Sequence, residues 1–266
     1  MKAAHPVIKS LALGTMGFLY LPLFGVAVYS VNKAEKGLLW KGFTLDWYLQ
    51  LFSNEWILST ALNTLALAVV STLIATVLGT LVAIGINRFP WSKKANSMLD
   101  IMLHIPVVTP DIIMAGALVV AFGLLRVLSN VFEPGMFDMI IAHITFQIAF
   151  VALVVRSRLM SIGHDVEEAA RDLFATNWYV LRRVMIPLML PGVVAGAMLA
   201  FTLSLDDFVL SFFTAGPDSQ TLPLYIYAAV RKGVTPEIHA LSTLVVLITV
   251  VLVVGAERMS RKKEAC

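Results

Sequence analysis

The sequence has 266 residues, of which 59% are hydrophobic and only 14% are charged, and its mean hydropathy is +0.85. A soluble domain carries about a quarter charged residues, so this composition excludes a soluble globular protein and indicates an integral membrane protein. The net charge of +3 does not indicate a nucleic-acid partner, because the basic residues lie between apolar segments and form no patch interleaved with aromatic residues.

Six apolar segments reach the length of about 20 residues that a helix needs to cross a bilayer. Together they take up most of the chain and predict an all-α membrane protein, a single transmembrane domain over 1–266 with six helices. With both termini in the cytoplasm, fourteen of the 20 Lys and Arg lie on the cytoplasmic side, which predicts an N-in/C-in topology. The predicted spans are roughly 8–31, 58–87, 99–125, 137–156, 188–213 and 238–257.

The first external segment, roughly 32–57, is rich in aromatic residues, which are typical of the membrane–water interface. Contact with membrane lipid and contact with a partner protein are equal alternatives for it. The aromatic residues are Trp40, Phe43, Trp47, Tyr48 and Trp56.

The cytoplasmic segment 157–187 is the longest and most charged of the cytoplasmic loops. Its acidic residues from Asp165 to Glu168 suit the positive end of a short helix, and Thr176 or Asn177 can cap a second one. The pattern predicts a helix–turn–helix across the cytoplasmic mouth of the bundle. A solvated amphipathic loop is the structural alternative.

Glu168-Ala169-Ala170, followed at a distance by Ile186-Pro187, resembles the EAA loop of type I ABC importer permeases. The resemblance implies the fold of that family, with coupling helices that sit in a cleft of a cytoplasmic ATPase dimer. The ATPase-coupling residues that it implies are Glu167, Glu168, Ala169, Ala170, Asp172, Phe174 and Ala175.

Further motifs along nearly the whole chain are similar to those of spermidine/putrescine permeases, specifically the second of their two membrane subunits. This resemblance implies import of a polyamine across the bacterial inner membrane, with a second permease subunit and a periplasmic substrate-binding protein as partners. ATP and Mg would be bound by the ATPase, and no cofactor, catalytic residue or metal site is expected in this chain. The motifs are Pro110-Asp111-Ile112, His143-Ile144-Thr145-Phe146, Phe201-Thr202-Leu203-Ser204-Leu205-Asp206-Asp207, Leu222-Pro223-Leu224 and Thr235-Pro236-Glu237.

Phe174 departs from the family pattern, which has glycine between the two coupling helices. Glycine adopts a left-handed turn without steric cost, whereas another L-residue in that conformation costs roughly 1–2 kcal/mol. Three interpretations stay open: the turn is built differently, the ring contacts the ATPase, or coupling is impaired. We take contact with the ATPase as the working hypothesis.

Carboxylates at membrane depth usually face a bundle interior or an aqueous cavity. Asp206 and Asp207 are expected in the middle of the fifth span, pointing in different directions because adjacent helical positions differ by about 100°. We expect one to face the substrate path and the other to pair with a neighbouring helix. Asp111 follows Pro110, where a kink would turn it toward the cavity, and His143 is expected to make interhelical hydrogen bonds.

Gly192 and Gly196 form a GxxxG motif, which indicates close helix packing, either within the chain or against the second permease subunit. No Walker A motif occurs in the sequence, so ATP hydrolysis must come from a separate subunit.

The alternatives are a permease for another small solute, an ion-coupled secondary transporter and an intramembrane enzyme. No convincing internal repeat favours the secondary transporter, and His104, His143 and His239 lack metal-ligand spacing.

Overall fold

The computed structural model describes residues 6–34 and 39–264, with side chains described over 8–34, 39–129 and 131–251. Within these ranges the chain is almost entirely helical, with one isolated bridge between Asn32 and Phe43. The helices are α1 (Pro6–Tyr29), α2 (Asp46–Ser53), α3 (Glu55–Arg88), α4 (Lys93–Val108), α5 (Asp111–Arg126), α6 (Met136–Ile162), α7 (Asp165–Asp172), α8 (Asn177–Tyr179), α9 (Ile186–Leu205), α10 (Val209–Thr214), α11 (Leu222–Lys232) and α12 (Pro236–Glu264).

Four helical stretches of the described chain are long and apolar enough to cross a membrane, and the pair α4–α5 makes a fifth if it counts as one span. The stretches are Ile8–Tyr29, Glu55–Arg88, Met136–Ile162 and Asn177–Leu205. Pro236–Val251 is a shorter apolar helix. The six-span count and the N-in/C-in topology stay predictions. The end of the predicted sixth span, Lys2 and the basic side chains at 258–263 lie outside the described side chains.

Two predicted spans are broken rather than continuous. The span predicted over 99–125 bends by 108° between α4 and α5, because Pro110 holds Thr109 in an extended conformation (φ −71°, ψ 130°). The span predicted over 188–213 ends as a helix at Leu205 and resumes at Val209. The prediction that Asp206 and Asp207 lie in the middle of a continuous helix is therefore wrong, since both lie in the break.

Contacts divide the chain into two compact units, with boundaries between Ser59 and Thr60 and between Leu224 and Tyr225. In the unit that contains the N-terminal part, α1 and α2 pack against α12. There Asn32 is buried and fixes the loop after α1, accepting from the Lys41 amide (3.0 Å) and donating to the Leu39 carbonyl (2.9 Å). Trp47 donates its indole N–H to the Asn32 carbonyl (2.8 Å), so part of the predicted aromatic segment is anchored by the chain itself.

The larger unit, Thr60–Leu224, is built around α6, whose inner face is packed against α3, α4 and α9. Glycines allow this close approach. A Cβ on Gly79 of α3 would lie 2.8 Å from the Val151 Cβ, and one on Gly192 of α9 would lie 2.6 Å from the Arg158 Cβ. Gly196 also faces Val151 of α6, so both glycines of the GxxxG motif serve packing within this chain.

Candidate substrate path and coupling surface

The break between α4 and α5 places Asp111 at the first position of α5. Pro110 precedes it and has no amide proton, so its ring starts the new helix without losing a hydrogen bond. The Asp111 side chain is exposed and lies at the helix end where the aligned peptide dipoles are positive. The first break therefore presents one accessible carboxylate.

The break between α9 and α10 is organised by Asp207. Its carboxylate accepts hydrogen bonds from the backbone amides of Leu210 (3.2 Å) and Ser211 (2.8 Å) and from the Ser211 hydroxyl (2.9 Å). These amides begin α10 and have no partner within that helix, so the carboxylate caps it. Asp207, one of the two aspartates considered for the substrate path, is thus fixed by hydrogen bonds within its own chain.

His143 of α6 joins Asp207 to the core. Its Nε2 lies 3.3 Å from Asp207 Oδ2 and 3.2 Å from the Ser211 Oγ, while Nδ1 lies 2.8 Å from the Ser204 Oγ. The imidazole is 1% exposed, and its contacts to Ser204 and Ser211 cross from α6 to α9 and α10. The expectation that His143 makes interhelical hydrogen bonds is confirmed.

Gln147, one turn further along α6, extends this polar cluster. Its side-chain amide donates to the Ser71 hydroxyl of α3 (3.3 Å) and to the Ala200 carbonyl of α9 (3.2 Å). A buried polar group in a bundle requires such partners, because leaving it unpaired costs several kcal/mol in an apolar medium. The cluster fixes α3, α6, α9 and the start of α10 relative to each other.

Asp206 differs from its neighbour in being exposed. The charge of its carboxylate interacts with those of Asp207 and Asp111. The two helix breaks therefore place three carboxylates where their charges interact, and two of them, Asp111 and Asp206, are exposed. Carboxylates whose charges repel one another attract cations.

Segment 157–187, which we call the coupling segment, forms the predicted helix–turn–helix. α7 ends in a Schellman turn, in which the Ala175 amide donates to the Ala170 carbonyl (3.1 Å) and the Phe174 amide to that of Arg171 (2.8 Å). Phe174 adopts φ 59°, the left-handed conformation that the family pattern gives to glycine. The interpretation that the turn is built differently is therefore wrong. Thr176 caps α8 through the Tyr179 amide (3.3 Å).

The residues that the resemblance assigned to coupling divide between two faces. Glu168, Ala169, Asp172 and Phe174 are exposed. Ala170 and Ala175 pack against the core of the larger unit, and Glu167 is buried. The exposed face also carries large apolar side chains, with Phe174 96% and Leu173 83% exposed, followed by Trp178 and Tyr179.

The buried Glu167 pairs with Arg88 at the end of α3 (Nε to Oε1, 2.6 Å). Sequence reasoning assigned Arg88 only to topology, and no local motif could reveal this contact because its partner lies on a distant segment. Asp100 similarly pairs with Arg156 of α6. In the part of the chain whose side chains are described, no three His, Cys, Asp or Glu are grouped to hold a metal.

Broken apolar helices, carboxylates at the breaks and a surface of exposed aromatic residues are features of a membrane-embedded transport subunit. The chain belongs to the family of binding-protein-dependent transport system inner membrane components, whose pattern matches residues 75–261. It is accordingly a non-catalytic subunit located in the inner membrane.

Relatives in sequence cover nearly the whole chain. The spermidine/putrescine transport system permease protein PotC of Escherichia coli (strain K12) is 38% identical over 246 residues, 92% of this chain and 90% of that protein. PotC of Haemophilus influenzae is 37% identical over 92% of this chain and 93% of its own length. The putrescine transport system permease protein PotI of Escherichia coli (strain K12) is 36% identical over 90% of this chain and 87% of its own.

Solved structures confirm the predicted ABC importer permease fold. A bacterial ABC transporter involved in the import of the acidic polysaccharide alginate superposes with a TM-score of 0.76 at 22% identity, covering 96% of this chain and 95% of that one. The MetNI methionine ABC transporter in an inward-facing conformation gives a TM-score of 0.61 at 22% identity, over 83% of this chain and 99% of that one.

Proposed function

We propose that this chain is the second permease subunit of an importer for polyamines such as spermidine and putrescine. It works with another permease subunit, a periplasmic binding protein and a cytoplasmic ATPase dimer that binds ATP and Mg. The single domain predicted over 1–266 provides one half of the translocation path. The relatives named for spermidine and putrescine transport support the substrate class.

The observation that carries this proposal is that α5 and α10, the helices that follow the two breaks, pack against each other, so that exposed Asp111 and Asp206 lie at neighbouring breaks and interact electrostatically. A polyamine carries several ammonium groups separated by methylenes, so neighbouring carboxylates are its natural complement. Broken helices at membrane depth are also where transporters place their substrate sites. We assign Asp206 and Asp111 to direct contact with the substrate and Asp207 to holding the break in shape.

The substrate assignment is tested by uptake of radiolabelled spermidine and putrescine in cells that lack their own polyamine importers and express this chain with its cognate subunits. Because a hydrogen bond to a charged group contributes about 1.5–3 kcal/mol, Asp206→Asn should raise the KM for uptake about 10- to 100-fold. Asp165→Asn, which removes an exposed carboxylate of the coupling segment, serves as the matched control. Uptake with an unchanged KM in Asp206→Asn would contradict the assignment.

Coupling to an ATPase is proposed for the exposed face of Glu168, Ala169, Asp172 and Phe174, supported by the apolar side chains beside it. Glu167, Ala170 and Ala175 support this face from the buried side. Glu168→Lys reverses the charge of the exposed EAA glutamate and should abolish co-purification of the ATPase. Uptake that persists after the ATPase is removed, and collapses with a protonophore, would instead identify an ion-coupled transporter.

A further inference from the structure

The last residue of α3 contacts the turn that leads into α7. Arg88 Nη2 donates to the Gly163 carbonyl (3.0 Å), and its Nη1 lies 3.0 Å from His164 Nε2. Its Nε lies 2.6 Å from Glu167 Oε1. One guanidinium therefore contacts the residue that ends α6, the residue that precedes α7 and the first turn of α7 itself.

The ion pair between Arg88 and Glu167 is sheltered from solvent, since the two side chains are each 11% exposed. Removing one partner of such a pair leaves an uncompensated buried charge, which is strongly unfavourable. The backbone at Gly163 has φ 74°, a conformation that interrupts the helix and leaves carbonyl groups in need of partners. Arg88 donates to the Gly163 carbonyl and places its positive charge against the buried carboxylate.

The two adjacent glutamates of α7 face opposite ways. Glu167 turns inward to Arg88, while Glu168 is exposed on the surface proposed to meet the ATPase. A planar guanidinium that contacts several groups fixes orientation as well as distance. A displacement of α7 by the ATPase must therefore act on the end of α3, a helix of 34 residues that also carries Ser71 of the buried polar cluster.

We propose that Arg88 is a positioning residue that ties the coupling helix α7 to α3 and transmits its movement into the membrane bundle. This proposal rests on the docking function proposed above for α7. The chemistry is a buried ion pair plus a carbonyl contact, so the guanidinium and not merely a positive charge is required.

The contact is tested first on the purified full chain by hydrogen–deuterium exchange of the amides from 163 to 175. Arg88→Ala and Glu167→Ala should each accelerate exchange in α7 at least about tenfold, and the double variant no more than either single one, because each removes the same contact. Asp172→Asn, which removes an exposed acid from the last turn of the same helix, is the control and should not accelerate exchange by more than about twofold. Single-variant effects that multiply in the double variant, or unchanged exchange in both, would overturn the proposal.

If either alanine variant fails to fold, Arg88→Lys and Glu167→Gln replace them, since both keep the side-chain length and remove the guanidinium fork or the charge. A second measurement uses the importer assembled in liposomes with its cognate subunits. Arg88→Lys should keep the ATPase bound but reduce the number of substrate molecules imported per ATP at least about threefold, because a compact ammonium cannot contact the Gly163 carbonyl and the Glu167 carboxylate as the planar guanidinium does. An unchanged ratio would overturn the transmission role.

The experiments distinguish a failure of the Arg88 proposal from a failure of the ATPase-docking proposal. In one outcome, Glu168→Lys leaves the ATPase bound, and the effects of Arg88→Ala and Glu167→Ala on hydrogen–deuterium exchange do not multiply in the double variant. Docking through the exposed face is then wrong, and the contact between Arg88 and Glu167 stands. If Glu168→Lys releases the ATPase and Arg88→Lys leaves the import ratio unchanged, docking stands and transmission through Arg88 is wrong.

Discussion

Replacing Phe174 by glycine should separate the stability of the coupling turn from its affinity for the ATPase. Phe174 adopts φ 59° and its ring is 96% exposed, so the side chain gains almost no burial within this chain. Glycine relieves about 1–2 kcal/mol of left-handed strain and costs about 0.5–1 kcal/mol in backbone entropy. The isolated chain should therefore be unchanged or more stable by up to about 1.5 kcal/mol.

The same substitution should weaken the complex, because the proposed docking surface loses its most exposed ring. Full burial of a phenylalanine side chain contributes about 1.5–3 kcal/mol, which corresponds to a 10- to 150-fold increase in Kd for the ATPase. Thermal unfolding of the purified chain in detergent measures the first effect. Biolayer interferometry against the cognate ATPase measures the second.

Phe174→Ala is the matched control, because alanine removes the ring but keeps the left-handed strain. Both variants should lose affinity equally, and only the glycine variant should gain stability. If both variants assemble with the ATPase and stimulate hydrolysis like the wild-type chain, the ring is not a docking contact. A glycine variant that is less stable than the alanine variant would refute the strain argument.

Other predictions concern packing and polar contacts. Gly192→Ala should destabilise the chain by about 1–3 kcal/mol in thermal unfolding, because its Cβ would lie 2.6 Å from the Arg158 Cβ; wild-type stability would contradict the close packing. His143→Leu should lower the free energy of unfolding by about 3–5 kcal/mol, because it leaves Asp207 without its buried partner. A double variant with Asp207→Asn should recover part of this loss, and strictly additive losses would contradict the pairing. Asn32→Ala should cost about 1–3 kcal/mol and accelerate proteolysis of the loop after α1, whereas unchanged cleavage would show that its hydrogen bonds do not hold that loop.

The sequence was sufficient for the family, the helical class and the coupling segment, because these depend on local signals. Apolar length predicts helices, and the EAA pattern with Thr176 predicts a helix–turn–helix. Pro110 likewise predicts a local change of direction, although not its size of 108°. Local composition was therefore enough wherever a single segment determines its own structure.

The rest depended on contacts between distant segments. Nothing near Leu205 marks a helix end, since Asp207 breaks the span only by capping α10 and by meeting His143 of α6. The different roles of Asp206 and Asp207 follow from that meeting and not from helical periodicity. The role of Arg88 could not be predicted for the same reason, because its partner Glu167 lies 79 positions further along the chain.

The close packing of Gly79 and Gly196 on Val151 has a mechanical consequence for alternating access. Where backbones approach so closely, helices cannot slide without collision, so α3, α6 and α9 must turn together as one block. Deformation is then concentrated at the two helix breaks, where Asp111 and Asp206 lie. If these carboxylates bind the substrate as proposed, a cation that neutralises their mutual repulsion would also change the preferred angle of the breaks, so that substrate binding and the shape of the path would depend on the same charges.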